Sequence, residues 1–466
     1  MSTALSLLKL ILVVSVSIAY LVGLGWLVVG PLLHRHWFKR RSPTLLVQEF
    51  PLALLAGFIL NFGILLIVQS LKISLFIGGV LSLAGLVMFT IYLFRYHLGK
   101  VEHPDATEKW IAIAFLCLLF VGPVLTLPLY DWDARSIWFF HSKMIYTAGT
   151  IGLPAGWQDP AASFSHPDYP KMLPSLSSQV MYVVGFWNEY LPKISLYLAF
   201  IPAFFWLVSF ARKSISFLFL IIIMPFSLFP WLWNGYMDGM LALYFCMSLL
   251  LFDRFLKTND RTDLFASVAS LVFMLYIKNE GTLAALALVI GYGLLYILRR
   301  KPVISLKQIK PHWQPLLILF ICLIPFIVWW IYKEQWGLTN DLGVGTGSSI
   351  ERLIPRLSDG SLTLVFEKIF KYINGSLMLL AVFLISNLAF KRPFVWGSLP
   401  AMTAVLLYVL GTAVIYLITP HNLVWHLNNS TVRVMELANG GISIACYLFM
   451  DALEHDPAVN AHQRIQ

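Results

Sequence analysis

The residues best equipped for chemistry lie in one short stretch, Leu129 to Tyr146, which reads L-Y-D-W-D-A-R-S-I-W-F-F-H-S-K-M-I-Y. Asp131, Asp133, Arg135, His141 and Lys143 fall within thirteen positions of a chain that is only 12% charged, directly behind an apolar run. A carboxylate in such a loop can take the proton of a hydroxyl nucleophile, and neighbouring cations can hold a departing phosphate. The plainer description is a solvated loop in which Asp131 and Arg135, four apart, pair on one face of a short helix.

Four further segments add polar groups. H-P-D-Y-P at 166–170, followed by Lys171, presents His166 and Asp168. Pro167 and Pro170 fix their own φ and hold the preceding residues extended, which suits a rigid turn as well as a site loop. Asp238 stands at the start of an apolar run, where it either caps a helix N-terminus or orients an acceptor. Lys278 and Glu280, in K-N-E-G, lie between two apolar runs. A charge at the bilayer centre costs about 2.5–3.5 kcal/mol, so they belong at a polar cavity or at the membrane surface. His426 and Arg433 share a helical face in W-H-L-N-N-S-T-V-R, and an arginine there offers a phosphate two parallel N–H donors.

The elements that must position these groups are membrane helices. Hydrophobic residues make up 59% of 466 positions and the mean hydropathy is +0.77, well above a soluble domain. Apolar runs fall at 4–33, 49–71, 73–94, 110–128, 193–211, 214–232, 237–253, 263–277, 281–298, 314–332, 373–390, 396–418 and 438–453, an all-α polytopic pattern of about thirteen crossings. The first run is long and ends in H-R-H-W-F-K-R-R, so it reads as a retained span rather than a cleaved signal. Segment 172–191 is less apolar and reads as a helix at the membrane interface, as do two amphipathic pieces of the loop 333–372, E-R-L-I-P-R-L and L-V-F-E-K-I-F-K-Y-I. The net charge of +10 sits in short loops at alternate breaks, as membrane orientation requires, and implies no nucleic-acid partner. That phase places the N-terminus outside, residues 454–466 as a cytoplasmic tail, and every polar motif above on the extracytoplasmic face. Cys117, Cys246, Cys322 and Cys446 lie inside apolar runs without the spacing of a disulfide framework or a zinc site.

In their order, W-D-A-R-S-I-W-F-F-H-S-K-M-I-Y, H-P-D-Y-P-K-M-L-P, K-N-E-G and W-H-L-N-N-S-T-V-R resemble the bacterial branch of the GT-C glycosyltransferases, relatives of the protein mannosyltransferases and the lipid A aminoarabinose transferases. The resemblance covers roughly residues 110–440. It implies a transmembrane catalytic core at 110–453, with residues 1–109 as three additional helices and 129–192 as the catalytic outer loop. It implies transfer of one sugar from a polyprenyl-phosphate donor to a lipid, glycan or protein acceptor at the outer face of a bacterial inner membrane. Asp133 would be the base and Asp131 its partner, with Arg135, Lys143, His166, Asp168, Lys171, Asp238, Lys278, Glu280, His426 and Arg433 binding donor phosphate or substrate. The mannosyltransferases have Asp-Glu where D-W-D stands, and the aminoarabinose enzymes have Lys-Pro-Pro where Pro170-Lys171 stands. D-W-D has the form of a metal-gripping D-x-D, but carrier-phosphate enzymes of this type generally work without metal, so none is expected at Asp131 and Asp133, nor any cofactor. Two other classes use lipid-linked substrates. A transporter or flippase would place its charges near the bilayer midplane in two related halves, and no such symmetry is apparent. An O-antigen ligase or polymerase would lean on Arg and His rather than on a carboxylate.

Overall fold

The computed structural model describes residues 3–34, 49–96, 127–210, 220, 231–232, 234–298, 313–340, 342, 347–390 and 395–454. Among them there is no strand beyond an isolated antiparallel bridge between Ser70 and Thr150. An apolar chain in lipid has no water to satisfy its backbone, and the helix satisfies each N–H and C=O internally. α1 (Thr3–His34), α2 (Phe50–Val68) and α3 (Leu71–Tyr96) open the chain. A π-helical turn, Ala134–Trp138, leads into α4 (Phe139–Ala148), followed by α5 (Met172–Val184) and α6 (Ile194–Ser209). The remainder is α7 (Asp238–Thr258), α8 (Arg261–Met274), α9 (Glu280–Leu298), α10 (Trp313–Gln335), α11 (Gly347–Arg356), α12 (Ser361–Ala389), α13 (Ser398–Ile418), α14 (Leu423–Val434) and α15 (Glu436–Glu454).

Seven of the described helices, α1, α2, α3, α7, α10, α12 and α13, contain segments long and apolar enough to cross a bilayer, and α6, α8 and α9 carry shorter apolar ones. The chain is a helical membrane protein. Runs 110–128 and 214–232, and with them Cys117, lie almost wholly outside the described residues. Cys246, Cys322 and Cys446 are buried and unpaired.

Two segments differ from the sequence expectation. Leu364–Ile373 is not a separate interfacial piece but the opening of α12, which runs unbroken for 29 residues. That is about 43 Å of helix, longer than a hydrocarbon core of about 30 Å. Its first three turns carry Glu367, Lys368 and Lys371. Residues 172–181 of α5 are all buried, packed against α2, α4 and α6 rather than open along one side.

The three N-terminal helices are joined to the rest by polar contacts as well as by packing. A Cβ at Gly57 would overlap the Leu21 backbone, so α1 and α2 touch main chain to main chain. Asn61 of α2 and Gln179 of α5 form a reciprocal amide pair at 2.6 and 3.1 Å, and Tyr20 donates to the same Asn61 at 2.8 Å. Gln179 also reaches Ser74 of α3 at 3.2 Å. At the α2–α3 turn, Leu71 N–H donates to Gly149 C=O at 2.9 Å, clamping the end of α4.

Ion pairs define the two ends of the helical array. At one end Lys257 bridges Asp253 and Asp451 at 2.9 and 2.8 Å, and Arg254 meets Asp263 at 2.7 Å. Asp451 lies late in α15 and Lys257 late in α7, so these helices run in the same direction. Their first residues, Glu436 and Asp238, therefore lie at the opposite end, which holds the remaining polar motifs.

Candidate active site

Asp133 and Arg433 meet as an ion pair across 300 residues of sequence, their side chains 14% and 18% exposed. The first stands immediately before the π-helical turn, and the last turn of α14 carries the second. The Arg433 guanidinium lies 5.2 Å from the Tyr236 ring centroid, and Tyr236 is hydrogen-bonded to the Asp133 backbone. Burial opposes the charge on Arg433, but Asp238 and Asp133 outweigh it and its pKa is raised. It remains a fixed cation.

The segment N-G-Y-M-D at 234–238 forms a second wall. Asn234 hydrogen-bonds Asp131, whose pKa is raised by burial and by neighbouring Asp133 against the opposing effect of that bond. Gly235 has φ of 102°, and a Cβ there would overlap the Ala134 side chain. Only glycine lets this turn lie flat on D-W-D-A-R. Asp238 accepts from Lys278 Nζ at 2.9 Å, and the same amine lies 3.0 Å from Glu280. Lys278 is buried, yet the two carboxylates overcome its desolvation and raise its pKa. The Asp131–Arg135 pair of the plainer description is absent: Arg135 is exposed, and no ion pair between the two occurs among the described residues.

A third group adjoins these two. Asp168 accepts from Asn279 Nδ2 at 2.6 Å and lies 3.6 Å from Lys333 at the end of α10. Asn279 is the neighbour of Lys278, so the H-P-D-Y-P loop abuts the same α8–α9 turn. Tyr169 is stacked against Trp138 at 5.1 Å and His166 at 5.2 Å, and His166 holds a left-handed φ of 50° rather than the extended backbone expected before Pro167.

Lys171 has no exposed surface. Its amine lies 2.9 Å from His141 Nδ1 and over the rings of Trp157 and Trp329 at 4.6 and 5.6 Å. His141 Nε2 lies 3.2 Å from Ser165 Oγ. Burial first, and then Lys171 beside it, push the His141 pKa down, while burial lowers that of Lys171. A phosphate cannot reach this amine without opening the aromatic cage. Lys143 is exposed, 5.9 Å from the Trp187 ring, and His426 is held by Thr419 at 3.0 Å, two helical turns from Arg433. These three stand apart from the Asp133–Arg433 cluster.

Three buried atoms in that cluster, Arg433 Nε, Asp238 Oδ2 and Glu280 Oε2, have no hydrogen-bond partner among the described residues. Buried polar atoms are rarely left so, and water or a ligand is the usual complement. No group of three or more His, Cys, Asp or Glu able to hold a metal ion occurs among the described residues. No family model, curated protein or solved structure matches the chain.

Asn234, Tyr236, Asn279 and Lys333 were not singled out from the sequence. Asn234 and Tyr236 sit within four residues of Asp238 in a Gly-centred turn, which was the available signal. Asn279 is the uncharged member of K-N-E-G, and Lys333 carried no signal beyond its place at the end of an apolar run.

Proposed function

We propose that the protein is a GT-C-type glycosyltransferase, crossing the membrane about thirteen times, that moves a sugar from a polyprenyl-phosphate donor to a hydroxyl-bearing acceptor at the extracytoplasmic face. The observation that supports this most is the Asp133–Arg433 pair, a carboxylate and a fixed guanidinium side by side, with Arg433 Nε still unpaired. The acceptor oxygen bonds to the anomeric carbon as the bond from that carbon to the phosphate oxygen breaks. The acceptor proton passes to Asp133, and polyprenyl phosphate departs with the electron pair against Arg433. Donor phosphate draws Arg433 toward itself, which frees Asp133 to act as a base. Lys278, already shared by Asp238 and Glu280, positions Asp238 rather than binding phosphate directly.

The test uses purified protein in lipid vesicles with a panel of polyprenyl-phosphate sugars and extracted envelope acceptors. Labelled sugar should appear in the acceptor fraction with wild-type protein and not with Asp133→Asn. Transfer by neither protein, with donor binding also absent, would reject the reading.

A further inference from the structure

Helix α11 presents three faces. Steps of about 100° per residue, carried into the turn that follows, place Ser349, Leu353 and Arg356 on one side, Ile350, Ile354 and Leu357 on the next, and Ser348, Glu351, Pro355 and Ser358 on the third. The first is held by protein. Arg352 Nε donates to Ile418 C=O at 2.6 Å, and Arg356 donates to Leu417 and Thr419 C=O at 3.1 and 2.8 Å. These carbonyls end α13, where a helix leaves its last acceptors without internal donors. The third face is exposed and, apart from Pro355, polar. The second is apolar and also exposed, Ile350 at 63%, Ile354 at 64% and Leu357 at 51%.

What covers that apolar face follows from α13. Leu406, Leu410 and Val414, each four residues on, are 58, 43 and 46% exposed and form the outward stripe of a membrane-length helix. The next member of the series, Ile418, is only 8% exposed. It lies where α11 docks. α11 therefore replaces lipid over the last turn of α13, and its own exposed apolar face continues the stripe one layer outward.

We propose that α11 lies in the bilayer interface on the site side of the membrane, with Ile350, Ile354 and Leu357 in the acyl chains and Glu351 and Ser358 in water. An amphipathic helix with separate apolar and polar faces is stable at that depth. The two arginines couple it to the turn preceding α14, so the bilayer surface braces the helix that carries Arg433. This inference does not depend on the reaction proposed above.

The test places a nitroxide at Ile354→Cys, Leu357→Cys or Glu351→Cys in the full-length protein reconstituted in phosphatidylcholine vesicles, with the parent chain labelled in parallel as background. Collisions with oxygen, which concentrates in hydrocarbon, are compared with those of a water-soluble nickel chelate. Oxygen should dominate several-fold at positions 354 and 357, and the chelate at 351. Equal chelate collisions at 354 and 351 would show the face open to water, and shielding of 354 from both reagents would show protein covering it. Either result overturns the proposal.

Discussion

Asp133 and Arg433 neutralise one another as an ion pair, and each substitution tests a different half of the proposed reaction. Asp133→Asn keeps size and hydrogen bonding but cannot take a proton, and transfer should fall by about 10² to 10⁴ with donor binding retained. Asp131→Asn should cost less, since Asn234 still holds the side chain at that position. Both are read from initial rates with a defined donor, alongside equilibrium donor binding. Arg433→Ala should raise the donor KM by tenfold or more, a factor that corresponds to about 1.4 kcal/mol. Arg433→Lys should recover only part of it, because lysine lacks the planar fork. Tyr236 adds a separate case: its ring lies under Arg433 and it is bonded to the Asp133 backbone. Tyr236→Phe keeps the ring and should retain more transfer than Tyr236→Leu, and equal activity of the two would place no weight on the ring.

Among the elements, α5 has the most consequential attachments. It starts directly after the H-P-D-Y-P-K loop, and its Gln179 is bonded to α2 and α3. Polar pairs between membrane helices contribute about 0.6–2 kcal/mol, and a partner left alone in the interior costs about 1–3 kcal/mol. Asn61→Leu and Gln179→Leu should therefore each lower the thermal midpoint in detergent, and the double variant should lose less than the sum. Simple additivity would show the two amides to be independent. The amide pair itself was not legible beforehand, because isolated Asn and Gln in apolar runs carry no sign of which partner they will meet. α12 illustrates a different limit: the charges of its first turns suggested a separate helix, and only the continuous backbone joined them to the apolar turns that follow.

For the molecule as a whole, the arrangement of ends makes a topological prediction. Cysteines at Ser163 and Asn429, both exposed at the site end, should react with a membrane-impermeant thiol reagent in intact cells made outer-permeable. One at Thr258, exposed at the far end beside the Lys257 ion pairs, should react only after lysis. Labelling of Thr258→Cys in intact cells would reverse the orientation and remove the outer-face site.

Composition and hydropathy by themselves determined that this is a helical membrane protein, because burial of apolar side chains in lipid leaves the backbone few alternatives. The stretches of Asp133, Asp238, Lys278 and Arg433 were each legible as charges out of place in an apolar chain. Which of those charges touch was decided only by the tertiary structure. Periodicity and spacing report on neighbours a few residues apart, whereas the Asp133–Arg433 pair closes 300 residues. The same packing enclosed Lys171 among Trp157, Trp329 and His141, left Lys143 exposed, and laid Asn234 and Tyr236 against Asp131 and Asp133. A side chain's charge is written in the sequence, but its partner depends on how helices from distant parts of the chain come together.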